Sequence, residues 1–254
     1  YLINYKNKLI NIIMTKSFWI AGKHAVIESI KNPKRKVIKV IGPSNSDLEE
    51  LSKERKIIFE EISNSKVRKL LESESINHQN YLALIEELPK LSLKDLFEDS
   101  SISTLVLLDN ITDTRNIGSI IRSCVCFAVD AIIVEKRVFK NSSVQMHKTA
   151  SGAMEYINII EVSNIQNALI EAKKNSFFIY GMDSNATLDI SDMELSPKVA
   201  FVFGSEEKGL KNNIKNSCDY LIKIKNDNKI TSLNVSNACS ATLAISNHIK
   251  KRNK

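Results

Sequence analysis

Short apolar runs alternate with helix-patterned stretches along almost the whole chain, and this alternation constrains the fold more than any other feature. Two strands that run parallel need a long crossover between them, and a helix is the usual one. The pattern therefore predicts an α/β architecture with a largely parallel sheet. In the first part, residues 25–30 read as helix, 37–41 as strand, 47–55 as helix, 57–62 as strand, 66–72 as helix and 81–85 as strand. Ser46 stands at an N-cap position, with Asp47, Glu49 and Glu50 in the first turn, where a helix dipole favours negative charge. These elements form a predicted unit over residues 17–89, with a basic cluster at 31–36. Residues 90–103 are polar and read as a linker with a short helix at 93–97. A second unit, 104–254, opens on a buried-type strand at 104–108. Helix 117–128, strand 131–134, helix 144–152, strand 157–162, helix 165–174, strands 177–180 and 199–203, helix 210–216, strand 220–224 and helix 233–249 follow.

The length of 254 residues allows one large domain or two modest ones, each able to bury its own core. A net charge of +7 favours phosphate-rich partners, but the chain is lysine-rich throughout, and a general lysine bias explains the charge equally well. Cys124, Cys126, Cys218 and Cys239 form no C-x-x-C pair and no zinc spacing, and read as unpaired thiols, mostly small core residues. No metal site is expected. No apolar run is long enough to span a bilayer, and a cytoplasmic protein is expected. Met14-Thr15-Lys16 looks like a natural start, so the residues before Met14 read as an upstream extension or an artefact, and residues 1–16 as the segment ahead of the first domain.

Ligands of open α/β sheets bind outside the carboxyl ends of the strands, so the chemistry is sought in the loops that follow them. Three stand out. Residues 109–118 lead into a helix whose Arg122 falls among Ile120, Ile121, Cys124 and Val125. Residues 203–210 hold Gly204, Glu206 and Gly209 directly after a strand. Residues 231–238 bring Ser232, Asn234, Ser236 and Asn237 to the start of the last helix, with Ser232 in an N-cap position. Taken alone, the first loop reads better as a helix-capping loop with Arg122 reaching to water, the second reads plausibly as an ordinary strand-to-helix turn with solvated charges, and the third as a capped helix. The G-x-G-x-x-G dinucleotide fingerprint and the P-loop are both absent. His24, His78, His147 and His248 read as structural or exposed.

Taken together and in order, the three loops resemble the three motifs of the SpoU (TrmH) methyltransferases: Asn116-x-Gly118-x-x-x-Arg122, Phe203-Gly204-x-Glu206-x-x-Gly209-Leu210, and Ser232-Leu233-Asn234-Val235-Ser236. The segment 148–155, ending Gly152-Ala153-Met154-Glu155, is similar to the small-residue segment of that family. Gly22-Lys23-His24-Ala25-Val26 and His78-Gln79 resemble the two ends of its substrate-binding domain, although Asn80 stands where the family usually has glycine. The layout looks most like the RlmB branch, which modifies a guanosine ribose in large-subunit ribosomal RNA.

The resemblance implies a Rossmann-like parallel-sheet catalytic domain with a trefoil knot between about residues 199 and 245. It implies a small ribosomal-protein-like α/β domain in front that binds RNA. It implies a homodimer, RNA (23S rRNA) as substrate and S-adenosylmethionine as cofactor, held by main chain around Gly204, Ile224 and Leu233. The implied catalytic residues are Asn116, Arg122, Glu206, Ser232 and Asn234. Arginine is effectively always protonated, so Arg122 is expected to act as a charged donor to a phosphate or forming alkoxide, with Glu206 orienting it. Transfer RNA as substrate, or a non-catalytic RNA-binding protein of the same fold, are the alternatives.

Overall fold

The computed structural model describes residues 17–44, 46–61, 80–227, 229 and 232–252. The expected helix at 66–72, the His78-Gln79 pair and the N-terminal extension lie outside the described residues. The chain divides into two compact units, one of Tyr1–Pro89 with Asn141–Glu155, the other of Lys90–Lys140 with Tyr156–Lys254.

In the first unit, strands β1 (Ser17–Ala21), β2 (Val37–Gly42), β3 (Ile58–Glu61) and β4 (Leu82–Glu86) form a sheet of order β1-β4-β2-β3. β4 runs antiparallel to β1 and β2, while β2 and β3 are parallel. Helices α1 (Lys23–Lys31) and α2 (Asp47–Glu54) cover one face, burying Val26, Ile30 and Leu48 against Ile20, Val40, Ala83 and Ile85. Ser46 stands at the N-cap of α2 without capping it, because its hydroxyl donates to the Pro43 carbonyl at 2.6 Å.

The segment 141–155, expected in the second unit, belongs to this one. A short helix, α5 (Val144–Ala150), is capped by Ser143, and Val144 packs with Trp19 onto Ala21, Ile41 and Leu82. His147 is buried beside the Phe18 ring, and one ring nitrogen lies 2.9 Å from the Asn141 carbonyl. Burial drives its pKa down to about 4 against the pull of that carbonyl, and the nearby Arg35 charge adds to the fall. Glu155 meets Arg35 in an ion pair of 2.8 Å, with both side chains 2% exposed. Arg35 Nε and Nη2 donate to the carboxylate, Asn32 Nδ2 donates to it at 2.8 Å, and Arg35 Nη1 donates to the Glu86 carbonyl.

The second unit is built on seven parallel strands in the order β7-β6-β5-β10-β8-β11-β9. They are β5 (Thr104–Asp109), β6 (Ala131–Glu135), β7 (Asn158–Val162), β8 (Phe178–Met182), β9 (Leu188–Asp189), β10 (Val199–Gly204) and β11 (Tyr220–Lys223). The central strands are buried on both faces, so their sequences are continuous apolar runs rather than alternating ones. Leu105, Leu107, Ala131, Ile133, Ala200 and Val202 pack with Ile165, Ala168, Leu169 and Ala172 of α6 (Ile165–Lys174). Elsewhere in the unit, α4 (Thr114–Cys126) packs beside α8 (Val235–Arg252). Ser123 and Ser240 hydroxyls meet there at 2.6 Å. Cys124 and Cys239 are buried there, and burial together with the neighbouring Cys239 raises the Cys124 pKa. Cys126, expected among the core thiols, is exposed. The region 90–103 carries α3 (Leu93–Glu98), opened by a Ser92–Asp95 capping box, with Leu96 buried in the core of this unit. Among the described residues, no helix is long and apolar enough to cross a membrane.

Candidate active site

The strand order reverses between β5 and β10. The chain leaves β5 toward β6 and β7, crosses back to β8, and later inserts β10 between β5 and β8. Such a switch point opens a crevice at the carboxyl ends of the two strands. Asp109 and Gly204 stand side by side there, and the loops that follow line a cleft of about 620 Å³ with Asn110, Ile111, Thr112, Asp113, Ser205, Glu206, Glu207 and Lys208.

Each loop is held in shape by its own residues. Asn110 is left-handed (φ 58°), and Asp113 caps α4 by accepting from the Arg115 N–H at 2.8 Å, which sets Asn116 in the first turn. After β10, the Gly209 N–H returns to the Ser205 carbonyl at 2.7 Å and closes a tight turn that projects Glu206. A Cβ on Gly204 would lie 2.2 Å from the Gly209 carbonyl carbon, so only glycine fits. Gly209 has φ +63° and faces open space.

Beneath the turn, Asp109 is 1% exposed and binds both the main-chain N–H (3.1 Å) and the Nζ (2.7 Å) of Lys211, tying the Glu206 loop to β5.

The three loops meet through side chains. Asn116 Nδ2 donates to Glu206 Oε1. Asn234 Nδ2 lies 3.1 Å from both Glu206 Oε1 and Asn116 Oδ1. Asn234 Oδ1 accepts from the Ser236 N–H at 2.9 Å and its hydroxyl at 2.6 Å. Asn234 therefore caps α8, two residues later than the expected cap at Ser232, and its amide N–H group bridges the other two motifs. Ser232 is exposed and makes no hydrogen bond among the described residues. Thr231 lies outside them.

Arg122 does not join this cluster. It is exposed on α4, where Ile117, Ile120, Ile121 and Cys124 form the buried face. Glu206, expected to orient it, is bonded to the two asparagines instead. Arg115, seven residues earlier and so on the same side of the helix, is exposed too. Gly204 ends β10, Ile224 follows β11 and is half-buried, and Leu233 precedes α8 with 47% of its surface exposed. Beside the end of β11, Asp189 pairs with Lys223 across the ladder and is 8% exposed. Its Oδ1 accepts from the Ser191 N–H at 2.7 Å, while Oδ2 lies within hydrogen-bond reach of no donor among the described residues. Burial would raise this carboxyl, but Ser191 and the Lys225 main chain hold it below its usual range. Sequence reasoning missed Asp109, Lys211 and Asp189, because lone charged residues at strand ends carry no local pattern. Among the described residues, no group of three or more His, Cys, Asp or Glu side chains is arranged to hold a metal.

Comparison with known proteins places the chain in a family. Residues 103–244 match the SpoU rRNA Methylase family. A protein of Staphylococcus aureus (strain MSSA476) assigned to the TrmH family of tRNA/rRNA methyltransferases is 32% identical over 87% of this chain and 92% of its own. The 23S rRNA (guanosine-2′-O-)-methyltransferase RlmB of Xylella fastidiosa is 31% identical over 90% of this chain and 95% of its own. The SpoU methyltransferase AviRb of Streptomyces viridochromogenes, solved in complex with the cofactor AdoMet, shares the fold with a TM-score of 0.77 at 21% identity, over 95% of this chain and 92% of that one. The molecule is an RNA methyltransferase. It belongs to the SpoU rRNA methylase family.

Proposed function

We propose that this enzyme transfers a methyl group from S-adenosylmethionine to a ribose 2′-hydroxyl of RNA, a guanosine of 23S rRNA. The observation that carries the reading is the hydrogen-bonded cluster of Asn116, Glu206 and Asn234, one residue from each motif, at the switch point of the sheet. The guanosine and 23S rRNA assignment draws on the similarity to the Xylella fastidiosa RlmB.

The residues present fit the cofactor. Gly209 leaves its main chain open, Leu233 and Ile224 offer apolar surface, and Asp189 Oδ2 is a buried acceptor beside β11 with no donor among the described residues. Main chain around Gly204, Ile224 and Leu233 would hold it, within a trefoil knot formed by the last part of the chain. The cofactor supplies an activated methyl group, so the protein's task is alignment and proton removal. Asn116 and Asn234 lock the three loops in register through Glu206 and so position the ribose. Ser232, exposed at the mouth of the last helix, is placed to contact the substrate. Arg122, with its guanidinium free in solvent, serves as the cation that meets the phosphate of the target nucleotide. In this reading the first unit grips the RNA and the enzyme acts as a cytoplasmic homodimer.

The test is transfer of labelled methyl from S-adenosylmethionine to unmodified ribosomal and transfer RNA, separated afterwards. Label in 23S rRNA at a 2′-O-methylguanosine, lost with Arg122→Ala while cofactor affinity persists, is the expected result. Label in transfer RNA overturns the substrate, and loss of cofactor affinity alongside activity overturns the role given to Arg122.

A further inference from the structure

A second cleft, of about 640 Å³, opens beyond β5 on the same rim of the sheet. It is lined by Glu135, Arg137, Ser163, Asn164, Lys211 and Asn213, with Ile165 and Ile214 at its floor. Its cations are fixed from beneath by buried acids. Glu135 ends β6 at 7% exposure and accepts from Arg137 Nε and Nη2, both at 2.9 Å. Asp109 holds Lys211 Nζ at 2.7 Å, and Glu135 lies 3.6 Å from the same nitrogen. Both basic heads remain accessible, with Arg137 66% exposed and Lys211 42%. Phe139 is buried and anchors the loop, leaving Lys136 and Lys140 exposed beside Arg137. Across the cleft, Asn164 caps α6 through the Gln166 N–H at 2.7 Å, and the exposed Ser163 hydroxyl stands next to it.

Buried carboxylates that hold exposed guanidinium and ammonium groups in fixed positions make a preorganised anion receptor, and the positive end of α6 adds to it. The cleft lies on the β6–β7 side of β5, whereas the cluster of Asn116, Glu206 and Asn234 lies at β5 and β10. At about 4.8 Å per strand, β10 and β7 are roughly 14 Å apart, the reach of a few nucleotides of a single strand.

We propose that this cleft receives the phosphate backbone of the RNA strand flanking the target nucleotide. The inference rests on the function proposed above and adds to it a second anchor on the catalytic unit. Contacts of this kind position the strand without reading its bases, so they act on substrate affinity rather than on the chemical step.

The experiment uses the full-length enzyme and an unmodified 23S rRNA transcript, with filter-binding Kd measured across a salt series, methyl transfer kinetics, and a transfer RNA transcript as second probe. Arg137→Gln removes one anchored cation. Asn164→Asp keeps the helix cap, since aspartate caps as well as asparagine, but puts a negative charge in the cleft. Lys174→Gln makes the same charge change as Arg137→Gln at the far end of α6, where Lys174 pairs with Glu171. For Arg137→Gln, the salt slope is expected to fall by about 0.7 and Kd to rise roughly fourfold near 0.15 M salt. Asn164→Asp is expected to raise Kd at least as much. In both, KM rises, kcat holds and S-adenosylhomocysteine affinity is unchanged, while Lys174→Gln stays within twofold of wild type. Unchanged Kd in both cleft variants, or equal weakening by Lys174→Gln, overturns the proposal. A wild-type enzyme that binds neither RNA overturns the proposed function with it, whereas wild-type binding with silent cleft variants overturns the cleft alone.

Discussion

Glu155→Ala removes the acceptor for three contacts from Arg35 and one from Asn32, all inside the first unit. Among the described residues, the Arg35 side chain keeps only the Glu86 carbonyl, at 2.8 Å, and its charge stays buried with no counter-ion among them. An uncompensated charge of this kind costs about 3–5 kcal/mol. The only tryptophan of the chain, Trp19, lies in β1 of the same unit, so its fluorescence reports that unit's unfolding. With a urea dependence of about 2 kcal/mol per molar, the Trp19 midpoint should fall by roughly 2 M. Replacing both partners by apolar residues, Arg35→Met with Glu155→Leu, should recover most of the loss, because the damage comes from the orphaned charge and not from the missing pair. A midpoint shift in Glu155→Ala below about 0.3 M, or a double variant as unstable as the two single losses added, would refute this reasoning.

Other outcomes follow from the same geometry. His147 has a pKa near 4 when folded, against 6.5 in a free chain, so the unfolded chain takes up its proton first as pH falls. Its contribution is complete above pH 6.5 and is lost between there and pH 4, up to about 3 kcal/mol. Trp19-monitored urea titrations at pH 7 and 4.5 should show this loss in wild type and a smaller one in His147→Gln. Gly204→Ala forces its methyl into the Gly209–Leu210 peptide and displaces the Glu206 loop. Methyl transfer should fall about 100-fold with the circular dichroism of the sheet retained, and a variant with near-normal turnover would show that the loop has room to yield. Asn234→Ala removes the α8 cap, at about 1 kcal/mol, together with both bridging bonds, whereas Asn234→Ser can still cap the helix. Serine should therefore restore stability but not turnover, and restored turnover would mean that the bridge is dispensable.

The β-runs of the second unit were legible because strands buried on both faces are written as continuous apolar sequence, Leu105 to Leu108 and Val199 to Phe203 being examples. β9, two residues at the sheet edge, has too little length to show a pattern. Of the expected catalytic residues, Asn116, Glu206 and Asn234 come together, since each follows a strand that ends on the same rim. Arg122 was read as a charge on an apolar face. A helix of 13 residues has a buried and a wet side, and Arg122 lies on the wet one, as the reading in which it reaches to water requires. The cap at Asn234 was missed because Ser232 is an equally good capping residue, and the choice depends on the side-chain bridge to Glu206. The return of residues 141–155 to the first unit had no local signal at all. It rests on Arg35 finding Glu155 across 120 positions of sequence.

That long-range pairing also sets a clock. A ribosome releases chain at roughly 5–20 residues per second, and domains usually fold as soon as they emerge. Here the first unit has all four of its described strands once Pro89 is out, yet Arg35 must wait for Glu155. For some seconds its guanidinium stays hydrated and the sheet face destined for α5 remains bare. The interval ends only when about a third of the second unit has been synthesised. Completion of the amino-terminal unit thus waits on chain that belongs to the other.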